Sequence, residues 1–244
     1  MKSFDVALQL YTVRESLEGD FLGGLRKVAD MGYKFVEFAG FGGHTAAEVG
    51  RVLSECGLRA SGSHVPTSIL DDPGPVIDEL REIGCSQLTI PSIPEEMRPD
   101  LQGWIDAAKR IDECAVSLAT QGLALGYHNH AFEFGDTHGF ETIVERAPNA
   151  NLQLDVFWAT VAGEDPIAWI GRLHGRLPSI HCKDLGADGV DIELGDGVLD
   201  FAEILRAAER AGTRTLVVEM DTPRLEPMES ARRSLLGLQD VLND

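Results

Sequence analysis

Short apolar runs alternate with segments of helical spacing along the chain, and this alternation limits the possible folds more than any other feature. The eight runs that predict buried strands lie at 5–10, 34–39, 58–64 and 87–90, within 123–134, and at 152–155, 179–183 and 215–219. Between and after them the spacing predicts helices at 17–31, 45–56, 73–83, 99–121, 140–146, 166–173, 201–211 and 227–242. Strict alternation of this kind is typical of a parallel α/β protein.

Eight strand–helix units in 244 residues fit a single (β/α)8 TIM barrel, an α/β fold with one domain spanning residues 1–244. A doubly wound open sheet is the alternative, but such sheets usually carry a glycine-rich nucleotide loop after the first strand. Neither a GxGxxG nor a Walker pattern follows the first predicted strand. The sequence therefore favours the barrel.

The charge of the chain bears on its partners. With 40 acidic against 21 basic residues, the formal net charge is −19, which repels nucleic acid phosphates and anionic membranes. We therefore expect neither nucleic acid nor membrane as a partner. No apolar run is long enough for a bilayer span, and the start MKSFDVALQLYTVRES lacks export features, so we expect a cytoplasmic location. The four cysteines form no CxxC pair and are interpreted as reduced thiols.

The stretch 123–134 begins as an apolar run and ends with unusual polarity for a buried strand. Side chains alternate along a strand, so His128 and His130 point to the same side, with Glu133 three residues beyond. Two imidazoles and a carboxylate in this pattern indicate a metal or proton-transfer site. The alternative interpretation is a core histidine followed by ordinary loop polarity.

Polar side chains also end or follow most of the other predicted strands, where a barrel places its chemistry. They are Gln9, Glu37, His64, Asp155, His181, Lys183 and Glu219. Singly, Asp155 could be a helix cap, Lys183 a solvated strand end and Glu37 the partner of a core arginine. Together, Asp155, His181 and Glu219 predict a mixed oxygen and nitrogen ligand set above the barrel, with one more ligand expected from the fifth strand. Such ligands suit Mn, Mg, Co or Zn.

Eight motifs in order resemble the sugar phosphate isomerase/epimerase proteins of the xylose isomerase-like TIM barrel superfamily, over nearly the whole chain. The motifs are Leu8-Gln-Leu-Tyr-Thr12, Gly32-Tyr-Lys-Phe-Val-Glu37, Ser63-His-Val-Pro66, Tyr127-His-Asn-His-Ala-Phe-Glu-Phe134, Leu154-Asp-Val-Phe-Trp158 with Gly163-Glu-Asp-Pro166, His181-Cys-Lys-Asp184, Gly195-Asp-Gly197 and Val218-Glu219.

The resemblance implies a divalent metal held by a Glu from strand five, an Asp from six, a His from seven and a Glu from eight. Asp155, His181 and Glu219 match the last three. Many relatives carry Glu-Asn-His where this chain has a histidine at 128, so strict alignment puts His128 at the fourth ligand position. We favour Glu133 over His128, because oxygen ligands dominate Mn and Mg sites.

The implied activity is that of an isomerase or epimerase, which transfers a proton next to the carbonyl of a sugar or cyclitol substrate through a metal-stabilised enediolate. Glu219 is the expected base, with Lys183 or His128 as partner acid. The expected substrate contacts are Gln9, Glu37, His64, His130 and Trp158. Ketose epimerases usually have a His where Trp158 stands, and an indole offers a sugar ring an apolar face instead. The Gly195-Asp-Gly197 turn either brings backbone amides to the substrate or is a tight loop.

Three other functions compete with this one. A lyase of the same superfamily, resembling inosose dehydratase or cleaving 3-keto glycosides, would use the same enediolate to expel a leaving group. An endonuclease is disfavoured by the charge and by too few histidines for a three-metal cluster. A sugar sensor would bind without turnover. A homodimer is a further possibility for a barrel of this size.

Overall fold

Eight parallel strands close into a barrel in the computed structural model, which describes residues 4–243. The strands are β1 (Asp5–Gln9), β2 (Phe35–Phe38), β3 (Arg59–His64), β4 (Gln87–Ile90), β5 (Ala124–His128), β6 (Asn151–Asp155), β7 (Ser179–Cys182) and β8 (Thr215–Val218). Around the barrel the order is β1, β8, β7, β6, β5, β4, β3, β2, which returns to β1. The predicted (β/α)8 TIM barrel is confirmed.

Ten α-helices accompany the strands in the described part of the chain. They are α1 (Arg14–Leu17), α2 (Phe21–Asp30), α3 (Ala46–Cys56), α4 (Gly74–Glu82), α5 (Leu101–Ala119), α6 (Gly139–Arg146), α7 (Val156–Val161), α8 (Pro166–Arg172), α9 (Phe201–Ala211) and α10 (Pro227–Asn243). Short 3-10 turns occupy Leu10–Val13, Thr67–Leu70, Glu95–Met97 and Phe132–Phe134.

Local sequence signals set several helix ends. Thr45 and Glu48 form a capping box at the start of α3, and Gly57 ends that helix in a left-handed conformation. Asp200 caps α9 by accepting from the amide of Glu203. Such caps satisfy amides that have no partner inside the helix, which leaves the apolar faces free to pack on the barrel.

The structure differs from the predicted elements at the upper ends of the strands. The predicted helix 17–31 corresponds to α2, which begins only at Phe21 because Leu17 ends the separate short helix α1, and α7, which the sequence did not predict, begins directly after β6. A small antiparallel hairpin joins Asp184–Leu185 to Asp191–Ile192 beyond β7. These short elements were missed because each is fixed by contacts above the barrel rather than by its own periodicity.

Two expectations from the composition concern the cysteines and membrane-spanning segments. The four cysteines carry free thiols, three of them buried. Within residues 4–243, every helix is too short or too polar to cross a membrane. The first three residues of the amino-terminal stretch considered for export lie outside the described residues.

Candidate active site

A cleft of about 570 Å³ opens at the carboxyl ends of the strands. Its polar lining includes His64, His128, His130, Glu219 and Asp221. Its remaining walls come from Tyr11, Ala39, Gly40, Val65, Pro66, Pro91 and Ser92. A cleft of this size and position matches the usual place for a small-molecule site in a barrel.

Four buried side chains meet at the base of the cleft. His128, Asp155, His181 and Glu219 each offer one ligand atom, and these atoms all lie within 4.8 Å of one another. Asp155, His181 and Glu219 are the three ligands that the sequence predicted. The fourth residue, His128, ends β5, the strand from which one more ligand was expected. The donor set of two carboxylates and two imidazoles suits a divalent ion such as Mn or Zn.

Two observations bear on whether the cluster could hold a metal. The Nδ1 atom of His128 and the Oδ2 atom of Asp155 are buried and make no hydrogen bond among the described residues, although Lys183 Nζ lies 3.1 Å from that oxygen as an ion pair. Burial, together with His181 nearby, holds the pKa of His128 well below its usual range, so its ring is neutral and keeps a lone pair. The other oxygen of Asp155 accepts from the Trp158 amide at 2.9 Å and caps α7, so the cap and ligand interpretations are compatible.

His181 is held from both sides. Its Nδ1 lies 2.8 Å from Glu219 Oε2, and its Nε2 lies 2.7 Å from Glu37 Oε2. Burial alone would lower its pKa, but the two carboxylates outweigh burial and raise the pKa to about 10. A carboxylate on the far nitrogen is the usual way to fix the orientation of a metal-binding histidine.

Glu37 is a buried hub rather than a free group in the cleft. Its carboxylate accepts from Gln9 Nε2 at 2.9 Å and from Gln153 Nε2 at 2.7 Å, in addition to His181. Burial would raise the pKa of Glu37, but the imidazoles of His64 and His181 hold it well below its usual range. Glu37 and Gln9, both expected at the substrate, are therefore occupied by partners within the protein.

His64 lines the cleft and joins the same network. Its Nε2 lies 2.9 Å from Gln153 Oε1 and 3.3 Å from Glu37 Oε2, and its ring stacks on that of His181 at 5.3 Å. The sequence prediction overlooked Gln153, although it lies two residues before Asp155 on the same inward face of β6. This two-residue spacing is the sequence signal that could have identified Gln153 as part of the site.

Lys183 lies inside the cluster and is almost fully buried. Its Nζ lies 3.1 Å from Asp155 Oδ2, 3.0 Å from Glu219 Oε2 and 2.7 Å from Asp221 Oδ2. Burial opposes the charge of the ammonium, but the three carboxylates outweigh it and raise the pKa of Lys183 above its usual range. Lys183 is thus a buried cation, not a solvated strand end. The sequence prediction also overlooked Asp221, which follows Glu219 by two residues.

Glu133, the favoured fourth ligand, lies outside the four-residue cluster. Its Oε1 accepts from the Tyr127 hydroxyl at 2.8 Å, and its Oε2 accepts from the backbone amide of His130 at 2.8 Å. Glu133 lies in the 3-10 turn Phe132–Phe134, where its side chain is buried. The structure brings His128, not Glu133, together with the other three groups.

One side of the site is aromatic. The ring of His130 lies 5.8 Å from that of Trp158 and 5.6 Å from that of Phe132. His130 Nδ1 and Trp158 Nε1 are both buried without a hydrogen-bond partner in the described structure.

The loop after β7 is tied down by Asp184. Its carboxylate accepts from the amides of Gly195 at 3.0 Å, Gly197 at 3.1 Å and Leu199 at 3.2 Å. A Cβ at position 197 would lie 2.2 Å from Asp184 Oδ1, so only glycine fits there. The amides of the Gly195-Asp-Gly197 turn are therefore used inside the loop, as the tight-loop interpretation expected.

A family model described as xylose isomerase-like TIM barrel matches residues 25–241. The rhizopine catabolism protein MocC of Rhizobium meliloti is 26% identical over 167 residues, covering 57% of this chain and 50% of that protein. The chain thus spans about half the length of that curated relative.

Solved structures show the same architecture. A sugar phosphate isomerase/epimerase from Parabacteroides distasonis superposes with a TM-score of 0.82 at 22% identity, covering 98% of this chain and 94% of that one. The probable 3-DHS dehydratase AsbF of Bacillus anthracis, involved in petrobactin synthesis, superposes with a TM-score of 0.73 at 11% identity, covering 95% and 98%. At such identities the likeness concerns the fold.

Proposed function

Because this chain belongs to the xylose isomerase-like TIM barrel family, we propose that it is an isomerase or epimerase of a sugar or sugar-derived ketone. One observation carries the proposal: the buried group of His128, Asp155, His181 and Glu219 at the base of an open cleft. Two carboxylates and two imidazoles so close together are costly to bury unless they bind a ligand or partner.

We propose that these four side chains hold a divalent ion, with His128 in the position for which Glu133 was the first expectation. A divalent ion there would polarise the carbonyl and hydroxyl oxygens of a substrate. As a ligand, His181 would bind the ion through Nδ1, because its Nε2 is held by Glu37. Without an ion, Nδ1 contacts Glu219, which belongs to the same ligand set.

Glu219 is the proposed base, since it is the carboxylate of the cluster that also lines the cleft. Burial would raise its pKa, but Lys183 and His181 keep the pKa well below its usual range, so the group is ionised. In isomerisation it would take a proton from the carbon next to the substrate carbonyl and return it to the neighbouring carbon, whereas epimerisation would need a second residue to supply the new proton from the opposite face of the enediolate. Lys183, fully charged, would donate a hydrogen bond to the oxygen on which negative charge develops.

The walls of the cleft would orient the substrate. His64 and His130 are exposed to the cleft and can donate to or accept from ring hydroxyls. Trp158 would pack against the less polar face of a sugar ring. Gln9 and Glu37 would act indirectly, by holding His181.

The proposal is tested by proton exchange. The protein with added Mn would be incubated in deuterated water with a panel of ketoses and keto-cyclitols, and deuterium at the carbon next to the carbonyl would be measured by NMR. We expect exchange with at least one substrate, loss of exchange in Glu219→Gln, and no loss in the exposed control Glu79→Gln. Absence of exchange for the whole panel would contradict the proposal.

A lyase is the second candidate, favoured by Trp158 and Lys183. The Lys183 ammonium lies 5.4 Å from the centre of the Trp158 ring, which gives a cationic donor next to an apolar wall. Such a pair could assist departure of a hydroxide or glycosyl group from the carbon beyond the proton that Glu219 removes. Keto-inositols and 3-keto glycosides would then yield an unsaturated ketone, detected by its ultraviolet absorbance, and free ketoses would not be isomerised.

A further inference from the structure

We propose that Lys183 is an internal cation that competes with the divalent ion for Asp155 and Glu219, and that Asp221 is the acceptor to which it withdraws. This inference rests on the metal site of the proposed function and adds a role for two residues that lie beside that site. The contacts of one ammonium group carry it.

The Nζ atom of Lys183 occupies the position of a cation between two of the four ligand groups. It lies 3.1 Å from Asp155 Oδ2 and 3.0 Å from Glu219 Oε2. Asp155 Oδ2 is the oxygen that has no hydrogen bond of good geometry. A charged ammonium has three donors and no lone pair, so it cannot itself be a ligand. A metal and this ammonium therefore seek the same two oxygens.

Withdrawal of the ammonium requires another acceptor, and Asp221 provides one. Its Oδ2 lies 2.7 Å from Lys183 Nζ, and the side chain is 31% exposed on the wall of the cleft. Asp191 holds Asp221 in place, because its buried carboxylate accepts from the amides of Asp221 at 2.6 Å and Thr222 at 3.0 Å. This anchorage does not involve the ligand cluster.

Two consequences follow. Without a divalent ion, Lys183 compensates two buried carboxylates that would otherwise repel each other, so the empty site is stable. When the ion binds, the flexible lysine stem lets Nζ move away from Asp155 and Glu219 while it keeps its contact with Asp221, and the positive charge remains at the cleft. The affinity for the ion is then lower than the four ligands alone would give.

Isothermal titration with MnCl2 tests the inference on the full chain. Lys183→Met should bind Mn at least about tenfold more tightly, because cations a few ångströms apart repel strongly even at an effective dielectric constant of about 20. Asp221→Asn should bind about tenfold more weakly, because Lys183 loses its other anionic partner. The control Lys109→Met removes one exposed positive charge far from the cleft and should leave the affinity unchanged.

The double variant separates a role through Lys183 from simple loss of charge. If Asp221 acts by receiving the ammonium, Asp221→Asn should change the Mn affinity less than twofold in the Lys183→Met background. An equal effect in both backgrounds would overturn the role of Asp221. A Mn affinity of Lys183→Met equal to or weaker than that of wild type would overturn the competition. Should Lys183→Met not fold, Lys183→Gln should likewise bind Mn more tightly than wild type and Asp221→Asn more weakly, and the opposite or equal affinities would overturn the competition.

The outcomes distinguish this inference from the proposed function. Mn binding by Lys183→Met but not by wild type would support the competition and contradict a metal-dependent enzyme. Equal binding by both would overturn the competition and leave the proposed metal site intact. Binding by neither would overturn both.

Discussion

Replacement of Glu37 by Gln tests whether the buried hub is held by charge. The carboxylate is 1% exposed and lies between His181, Gln9 and Gln153, all as donors. The amide of Gln keeps the shape of the Glu37 carboxylate but loses its charge. Its N–H also points at one of the three donors, which then lacks an acceptor. Breaking a buried charge pair from one side costs about 3–5 kcal/mol, so we expect that loss in the free energy of unfolding at pH 6.5.

The pH dependence of the unfolding free energy shows whether the charge of Glu37 causes this loss. The folded-state pKa of Glu37 is held well below its usual value, so its contribution is present above about pH 4.3 and is lost as pH falls. Below that point, the difference between Glu37→Gln and wild type should shrink by about 1.4 kcal/mol per pH unit. Urea unfolding of the metal-free proteins between pH 3.5 and 6.5, followed by circular dichroism, measures it.

The same experiment has a matched control and a clear contrary result. Glu79→Gln makes the same change at an exposed position of α4 and should alter the free energy of unfolding by less than about 0.5 kcal/mol at every pH. A loss below about 1 kcal/mol in Glu37→Gln at pH 6.5 would refute the reasoning. So would a loss that stays constant down to pH 3.5, because the cause would then be shape rather than charge.

The other predictions concern thiols, a loop and metal removal. Cys56 should react quickly with Ellman's reagent at pH 8, while Cys85 and Cys182 react only after unfolding, because burial raises their pKa; a second fast thiol would contradict this. Asp184→Ala should lower the free energy of unfolding by about 1–3 kcal/mol and expose the 193–199 loop to protease, since four amides lose their acceptor, three of them in that loop; an unchanged cleavage pattern would argue against it. Removal of Mn with EDTA should lower Tm, and Mn at a hundred times its Kd should restore about 2.7 kcal/mol; a Tm insensitive to both would count against the metal site.

The barrel and the general place of the site could be predicted from the sequence. Eight apolar runs separated by helical spacing leave few other folds, and parallel strands bring their carboxyl ends to one face. Asp155, His181 and Glu219 could therefore be placed together from their positions alone, and the structure brings them together.

The contacts above the strand ends could not be predicted in this way. Glu133 accepts from the Tyr127 hydroxyl from within a 3-10 turn, and the three residues of that turn carry no sequence signal for the contact. Lys183 has the pattern of a solvated strand end, since the three carboxylates around it end β6 or follow β8 and are distant from it in sequence. Tertiary contacts, not local propensity, decide both positions.

The imidazole of His181 joins the two halves of the sequence. Its far nitrogen contacts Glu37 from the first four strands, and its near nitrogen contacts Glu219, which follows the last strand. A cut at the exposed Gly122 would leave four strands on each side, with Glu37 in one fragment and His181 and the other three residues of the cluster in the other. Fragments 1–122 and 123–244 should then recover Mn binding only when mixed, which would make the site a reporter of half-barrel complementation.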